Sequence, residues 1–249
     1  MEKKGNSAKQ KFNSEMNDRK KVLFFDIETE PNISYTWGKY EQDVIEFKKE
    51  GGLLCFSYKW LGEKTIHFQS KEHQSEKNLV KKLHKLFSES DILIAHNGDN
   101  FDIKKSNAFF LKQGLKPPNI SKSIDTKKIA KRFFRFNSNK LTDLGKYLGL
   151  GVKEDTGGFE LWLGCMANDP KSWRTMRKYN IQDVVLLEKI YNKLSAWYPT
   201  HPSITTNTNS CASCGSNDFI RRGFAYTATN KKKQRLACRN CGKWKTIKI

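Results

Sequence analysis

The stretch Val22–Thr29, Val-Leu-Phe-Phe-Asp-Ile-Glu-Thr, constrains this chain more than any other. Side chains alternate across a strand, so Phe24, Asp26 and Glu28 share one face while Leu23, Phe25 and Ile27 share the other. A run this apolar belongs at the centre of a sheet, which leaves two carboxylates side by side where water hardly reaches. Like charges there are costly unless a cation neutralises them, and oxygen-only ligands suit magnesium or manganese. The reading is a metal site on a central strand. The alternative, from this stretch alone, is an edge strand with solvated acids.

Downstream, residues 53–60 and 65–69 read as strands joined by a short turn, and short connections make antiparallel neighbours. Leu79, Leu83, Leu86 and Phe87 recur at helical spacing and residues 91–97 return as a strand, so a crossover helix and a strand parallel to an earlier one are expected. Helices are expected over 101–115, closed by Pro117-Pro118, and over 127–134 and 141–148, with a short extended piece at 124–125. Asp169-Pro170 opens a last helix with an acid at the cap and proline at the first position, running to about residue 197.

Lys+Arg 46 against Asp+Glu 26 gives a net charge of +20, which calls for a polyanionic partner, nucleic acid first. Residues 1–21 hold seven basic and three acidic side chains with almost nothing apolar, and read as a flexible basic tail. Residues 199–210 have the Pro, Thr, Ser and Asn content of a linker. No run of ~18 apolar residues exists and the N-terminus is polar, so neither a membrane span nor a secretory signal is expected. The expected setting is cytoplasmic, intracellular and reducing, the host cytoplasm if the source is viral.

In such a compartment the pairs Cys211-Ala-Ser-Cys214 and Cys238-Arg-Asn-Cys241, 23 residues apart, read as ligands of one structural zinc ion rather than disulfides. Gly215 and Gly242 follow the two pairs and permit tight turns that aim amides at sulfur. Strands are expected over 219–226, 234–237 and 243–249. A module of ~40 residues cannot bury enough core to fold without such a staple. From Pro199 onward ten basic residues face a single acid, Asp218. The candidate nucleic-acid contacts are Arg221, Arg222, Lys231, Lys232, Lys233, Arg235, Lys243, Trp244 and Lys245, with Phe224 and Tyr226 as further rings for stacking bases. Residues 211–249 resemble the zinc ribbons found on transposases and other nucleic-acid enzymes.

Two more acids join the first pair. Asp102 falls where the strand at 91–97 gives way to a helix, a place where ligands gather in open α/β sheets, although a plain helix cap is the competing reading. Tyr179 and Asp183 are four apart on the last helix, and Leu186, Leu187 and Ile190 extend their face. Asp183 therefore lies on the apolar stripe, where an unpaired carboxylate is expensive.

In order, Phe25-Asp-Ile-Glu-Thr29, His96-Asn-Gly-Asp-Asn-Phe-Asp102 and Tyr179-Asn-Ile-Gln-Asp183 resemble the three motifs of the DEDDy 3′-5′ exonucleases, and among them the exonuclease domain of family B DNA polymerases. The likeness covers roughly residues 22–198. It implies an α/β, ribonuclease H-like fold, a mixed five-stranded sheet with its first three strands antiparallel and flanked by helices, followed by the zinc ribbon. It also implies two Mg2+ or Mn2+ ions. Asp26 would bridge both, Glu28 and Asp183 would hold the ion carrying the attacking water, Asp102 would serve the second, and Tyr179 would orient the water or the scissile phosphate. The implied substrate is nucleic acid with a 3′ end, DNA ahead of RNA, single-stranded or frayed. A polymerase or replication or repair protein would be a separate partner. The continuation of the second motif, Ile103-Lys-Lys105, makes the helix beyond it more basic than in relatives.

Two other readings stay open: an exoribonuclease, and a non-catalytic platform that presents the zinc ribbon, against which the intact acidic quartet argues. Asp125 and Asp143 read as helix caps and His96 as a core residue. Residues 157–162 are expected to form a loop along the substrate channel, with packing as the competing role of Trp162.

Overall fold

The computed structural model describes residues 19–40, 43–119, 122–151 and 157–249. Most of the expected basic tail, residues 1–18, lies outside them. Internal contacts divide the chain into two units, one of residues 23–190 and one of residues 191–249 with the N-terminal residues up to 22.

The larger unit is a five-stranded sheet. Val22–Thr29 (β1) pairs antiparallel with Leu53–Trp60 (β4), which pairs antiparallel with His67–Ser70 (β5). On the other side of β1 lies Ile92–Ala95 (β6), paired in parallel with Lys122–Asp125 (β7), so the order is β5-β4-β1-β6-β7. β1 is the middle strand, as its apolar content requires. Leu23, Phe25 and Ile27 pack with Leu53, Phe56 and Leu93, and with helix Glu76–Glu89 (α1) through Leu79, Val80, Leu83 and Phe87. Phe25 and Phe110 each meet Phe87 edge to face, at 4.9 and 5.5 Å between ring centres. Phe110 belongs to Asp102–Lys112 (α2). The opposite face of β1, with Asp26 and Glu28, lies across from Ser57 and Cys55 of β4.

Helices Thr126–Phe133 (α3), Leu141–Tyr147 (α4), Glu160–Met166 (α5) and Pro170–Leu194 (α6) follow. α2 stops before the Pro117-Pro118 pair because Gly114 takes φ 66°, letting Leu115 N–H reach Phe110 O at 3.0 Å and closing the last turn. The cap expected at Asp169 is present: its Oδ2 accepts from Ser172 N at 2.8 Å and Ser172 Oγ at 2.6 Å. α6 gives way to a short 3-10 turn over Ser195–Trp197. Two features have no counterpart in the sequence reading: helix α5, where a loop over residues 157–162 is expected, and a two-stranded ribbon of Ile33–Tyr35 (β2) and Glu46–Lys49 (β3) between β1 and β4.

The smaller unit holds a three-stranded antiparallel sheet of Phe219–Tyr226 (β8), Lys232–Cys238 (β9) and Trp244–Lys248 (β10), in the order β10-β9-β8. Residues 199–210, linker-like in composition, carry buried His201, Ile204, Thr205 and Ser210. Lys20 N–H donates to Ile204 O at 3.0 Å, and Tyr191 Oη lies 3.1 Å from His201 Nε2. Among the described residues no helix is long and apolar enough to cross a membrane.

Candidate metal centres

Two groups of side chains among the described residues could hold a cation. In the first, Asp26, Glu28 and Asp183 bring a carboxylate oxygen each within 4.8 Å of one another. β1 presents two of them by alternation, and α6 brings the third, only 1 % exposed. Three carboxylates this close repel one another unless a divalent cation sits among them, and hard oxygen donors match magnesium or manganese.

Asp102 lies outside this trio. It is 4 % exposed, and its Oδ1 accepts from the N–H of Ile27, the residue between Asp26 and Glu28, at 3.2 Å. Burial pushes its carboxyl up to about 7, with the charges of Asp125 and Asp183 adding to the effect and backbone hydrogen bonds opposing it. The fourth acid is thus tied to the strand that carries two of the trio.

Tyr179 lies beside these acids. Burial first, then the negative charges of Asp183, Glu28 and Asp26, push its phenol well above the ordinary tyrosine range, and its hydroxyl donates to Asp183. Trp162 meets its ring edge-on at 6.2 Å and 71°. With Leu161, Cys165, Trp173 and Met176, Trp162 packs into a second apolar cluster, so packing describes it better than a channel loop does.

The remaining polar residues of the motifs are positioning groups. Asp125 caps α3, accepting from Lys127 N at 2.9 Å, and the same Oδ1 accepts from Asn97 N at 2.9 Å, which ties the second motif's loop to the next helix. His96 Nε2 donates to Asn139 O at 2.9 Å, and its Nδ1 lies 2.8 Å from Thr126 Oγ1, in keeping with a structural role. Asp143 accepts from Ser138 Oγ at 2.5 Å. Sequence reasoning missed Asn180. It is fully buried, and its Nδ2 donates to Asp26 Oδ2 at 2.7 Å. The available signal was an amide side chain between a tyrosine and an aspartate on a buried stripe.

The second group is Cys211, Cys214, Cys238 and Cys241. Cys211 and Cys241 Sγ are 3.5 Å apart and Cys214 and Cys238 Sγ 3.6 Å. Four thiolates around a tetrahedral zinc with ~2.3 Å bonds stand about 3.8 Å apart, so the sulfurs have room for an ion and are far from disulfide contact. The two loops bond alike. Gly215 N donates to Cys211 O and Gly242 N to Cys238 O, while Cys211 N donates to Ser216 O and Cys238 N to Lys243 O. Gly215 and Gly242 take φ 75° and 77°, the left-handed turn anticipated for them.

Of the candidate nucleic-acid contacts, Arg221, Arg222, Lys231, Lys232, Arg235 and Trp244 are exposed, and Lys233 and Lys245 are half-buried. Lys243 is a correction. It is buried at 7 % exposure and its ammonium donates to the Tyr198 carbonyl, so it braces this unit instead of meeting solvent. Lys245 Nζ likewise reaches Asn209 O at 2.5 Å. Phe224 and Tyr226 share one face of the sheet with Lys232, which stands 4.0 Å over the Phe224 ring, while Trp244 pairs with Ala237 on the other face.

The family model described as the RNase_H superfamily matches residues 23–195. DNA polymerase III PolC-type of Ureaplasma parvum serovar 3 is 31% identical over 147 residues, 50% of this chain and 9% of that protein. The solved structure of the family B DNA polymerase from the hyperthermophilic archaeon Pyrobaculum calidifontis matches with a TM-score of 0.53 at 16% identity, over 72% of this chain and 26% of the other. At that identity the likeness is one of fold.

Proposed function

The chain belongs to the RNase_H superfamily, and from that premise we propose that residues 22–198 form a metal-dependent exonuclease that hydrolyses DNA from 3′ ends, on single strands or frayed termini. The observation that carries this reading is the convergence of Asp26, Glu28 and Asp183 within 4.8 Å, with the Tyr179 hydroxyl donating to Asp183. The relatives just described bear the names of DNA polymerases, which supports DNA over RNA as the substrate.

Asp26, Glu28 and Asp183 would hold divalent cations, with Asp102 completing the set. When bound, a pair of such ions lowers the pKa of a water and stabilises the attacking and leaving oxygens of an in-line displacement at phosphorus. The protein's own contribution is positional. Asn180 fixes one Asp26 oxygen, Ile27 N–H orients Asp102, and α6 sets Asp183 against β1. Tyr179 keeps its proton at neutral pH, so it serves as a hydrogen-bond donor and not as a base. In the smaller unit, the four cysteines would take one structural zinc, and Arg221, Arg222, Lys231, Lys232, Arg235 and Trp244 would add grip on the strand. A polymerase or another replication or repair protein is the partner that this activity would serve.

The test uses DNA and RNA oligonucleotides labelled at the 3′ or the 5′ end, with magnesium, manganese or chelator. Expected is a ladder of 5′-labelled DNA shortened from its 3′ end in magnesium, none in chelator and none with Asp26→Ala. Cleavage by Asp26→Ala at near the parent rate would refute the assignment.

A further inference from the structure

Between β1 and β4 the chain leaves the sheet and returns. The excursion is the β2–β3 ribbon, in which all four β3 residues are exposed. Large rings face solvent: Tyr35 at 53 %, Trp37 at 86 %, Tyr40 at 89 % and Phe47 at 48 % exposure. A two-stranded ribbon without a core is marginal by itself, and several large exposed rings on one short excursion mark an interaction surface.

The root of this ribbon is anchored. Two residues beyond Glu28, Glu30 N donates to Gly52 O at 2.9 Å, and Asn32 Oδ1 accepts from Gly51 N at 2.7 Å. The Glu30 carboxylate holds Lys71 at 2.5 Å and Lys49 at 3.1 Å. Opposite stands α2, which carries Asp102 in its first turn and Lys105, Ala108 and Lys112 along one face. These three, with Asn32, Phe47 and Glu50 among others, line a groove of about 340 Å³. Lys105 and Lys112 are seven residues apart, about 10 Å along the helix axis.

We infer that this groove and the exposed rings of the ribbon are a path for single-stranded nucleic acid, its phosphates on Lys105 and Lys112 and its bases on Tyr35, Trp37 and Tyr40. This rests on the exonuclease reading for the polarity of the strand. An apolar protein segment would use the rings and leave the two ammonium groups idle, whereas a nucleic-acid strand uses both, because every base has a π-face and every linkage a charge. In the chain, the helix of the groove begins at Asp102, and the ribbon follows the strand of Asp26 and Glu28.

The test measures binding of labelled single strands of about 4, 8 and 16 nucleotides by anisotropy, with the full chain carrying Asp26→Ala so that the strand survives. In that background Tyr35→Ala/Trp37→Ala/Tyr40→Ala should weaken the longest strand about tenfold or more and flatten the gain with length. The all-Phe version of the same positions should keep most of the affinity, since rings remain. Lys105→Ala/Lys112→Ala should make the log–log dependence on salt shallower by about 1.4, two contacts' worth. Length dependence that vanishes in the alanine variant and survives in the phenylalanine variant supports the path. It does so even if the unsubstituted protein cleaves nothing in magnesium, a result that refutes the exonuclease reading alone. Equal affinities at every length, or an unchanged salt slope, overturn the path whatever the cleavage shows.

Discussion

Asn180 donates its side-chain amide to Asp26 Oδ2 across 2.7 Å, joining α6 to the central strand at the acid expected to bridge two cations. The same nitrogen lies 3.4 Å from the Asp26 carbonyl, so one buried amide fixes both the carboxylate and the backbone that bears it. Partners of this kind commonly contribute ten- to a hundredfold to metal affinity. Asn180→Ala is expected to weaken manganese binding by that factor, measured by calorimetry on metal-free protein. An unchanged affinity would show that Asp26 needs no such support.

Tyr179 is expected to act with its proton in place. Its phenol is held above the ordinary range by burial and by three neighbouring carboxylates. Tyr179→Phe should lower turnover about a hundredfold while manganese affinity changes little. The pH–rate profile of the parent should show no limb that disappears in this variant. Weaker substrate binding with unchanged turnover would make Tyr179 a packing residue against Trp162.

What could be read in advance depended on whether a residue's surroundings are written in its own neighbourhood. Asp26 and Glu28 are legible because alternation in a buried strand forces them onto one face, and the cysteine loops because two short spacings and two glycines specify them. The β2–β3 ribbon is not legible, since Ser34 and Phe47 pair across strands that have no buried face to impose a period. Lys243 looked like one more cation in a basic run. Its burial depends on the Tyr198 carbonyl, 45 residues away. Residues 199–210 have a linker's composition, yet Ile204 and His201 are buried by groups elsewhere in the chain.

The cysteine cluster gives a third prediction. Sulfurs 3.5 and 3.6 Å apart are set for a tetrahedral ion, and the sheet β8–β10 buries little besides Leu236 and Cys238 on its strands. Elemental analysis should find one zinc per chain, and Cys214→Ser should lose it. Zinc loss should also lower the melting temperature, because binding supplies most of the folding free energy of such small units. Full zinc content in Cys214→Ser would remove that residue from the ligand set.

The last prediction concerns acid. His201 is buried, its Nδ1 donates to Pro202 O at 2.7 Å, and its Nε2 is left to accept from the Tyr191 hydroxyl at 3.1 Å. Burial first, and then the Lys243 ammonium, draw its pKa down to about 4, against the opposing pull of the Pro202 carbonyl. An unfolded histidine titrates near 6.5, so the folded state resists a proton that the unfolded state accepts. The stability due to neutral His201 is therefore complete above pH 6.5 and is lost as pH falls from there to about 4. The loss amounts to roughly 3 kcal/mol at most. Thiolate protonation will release zinc over part of the same range, so the informative quantity is the difference between the parent and His201→Gln. The variant should be less stable than the parent at neutral pH, and the gap should close as the pH is lowered toward 4. A gap that stays constant with pH would mean that His201 takes up its proton at the same pH in the folded and the unfolded chain, so that burial does not hold it neutral.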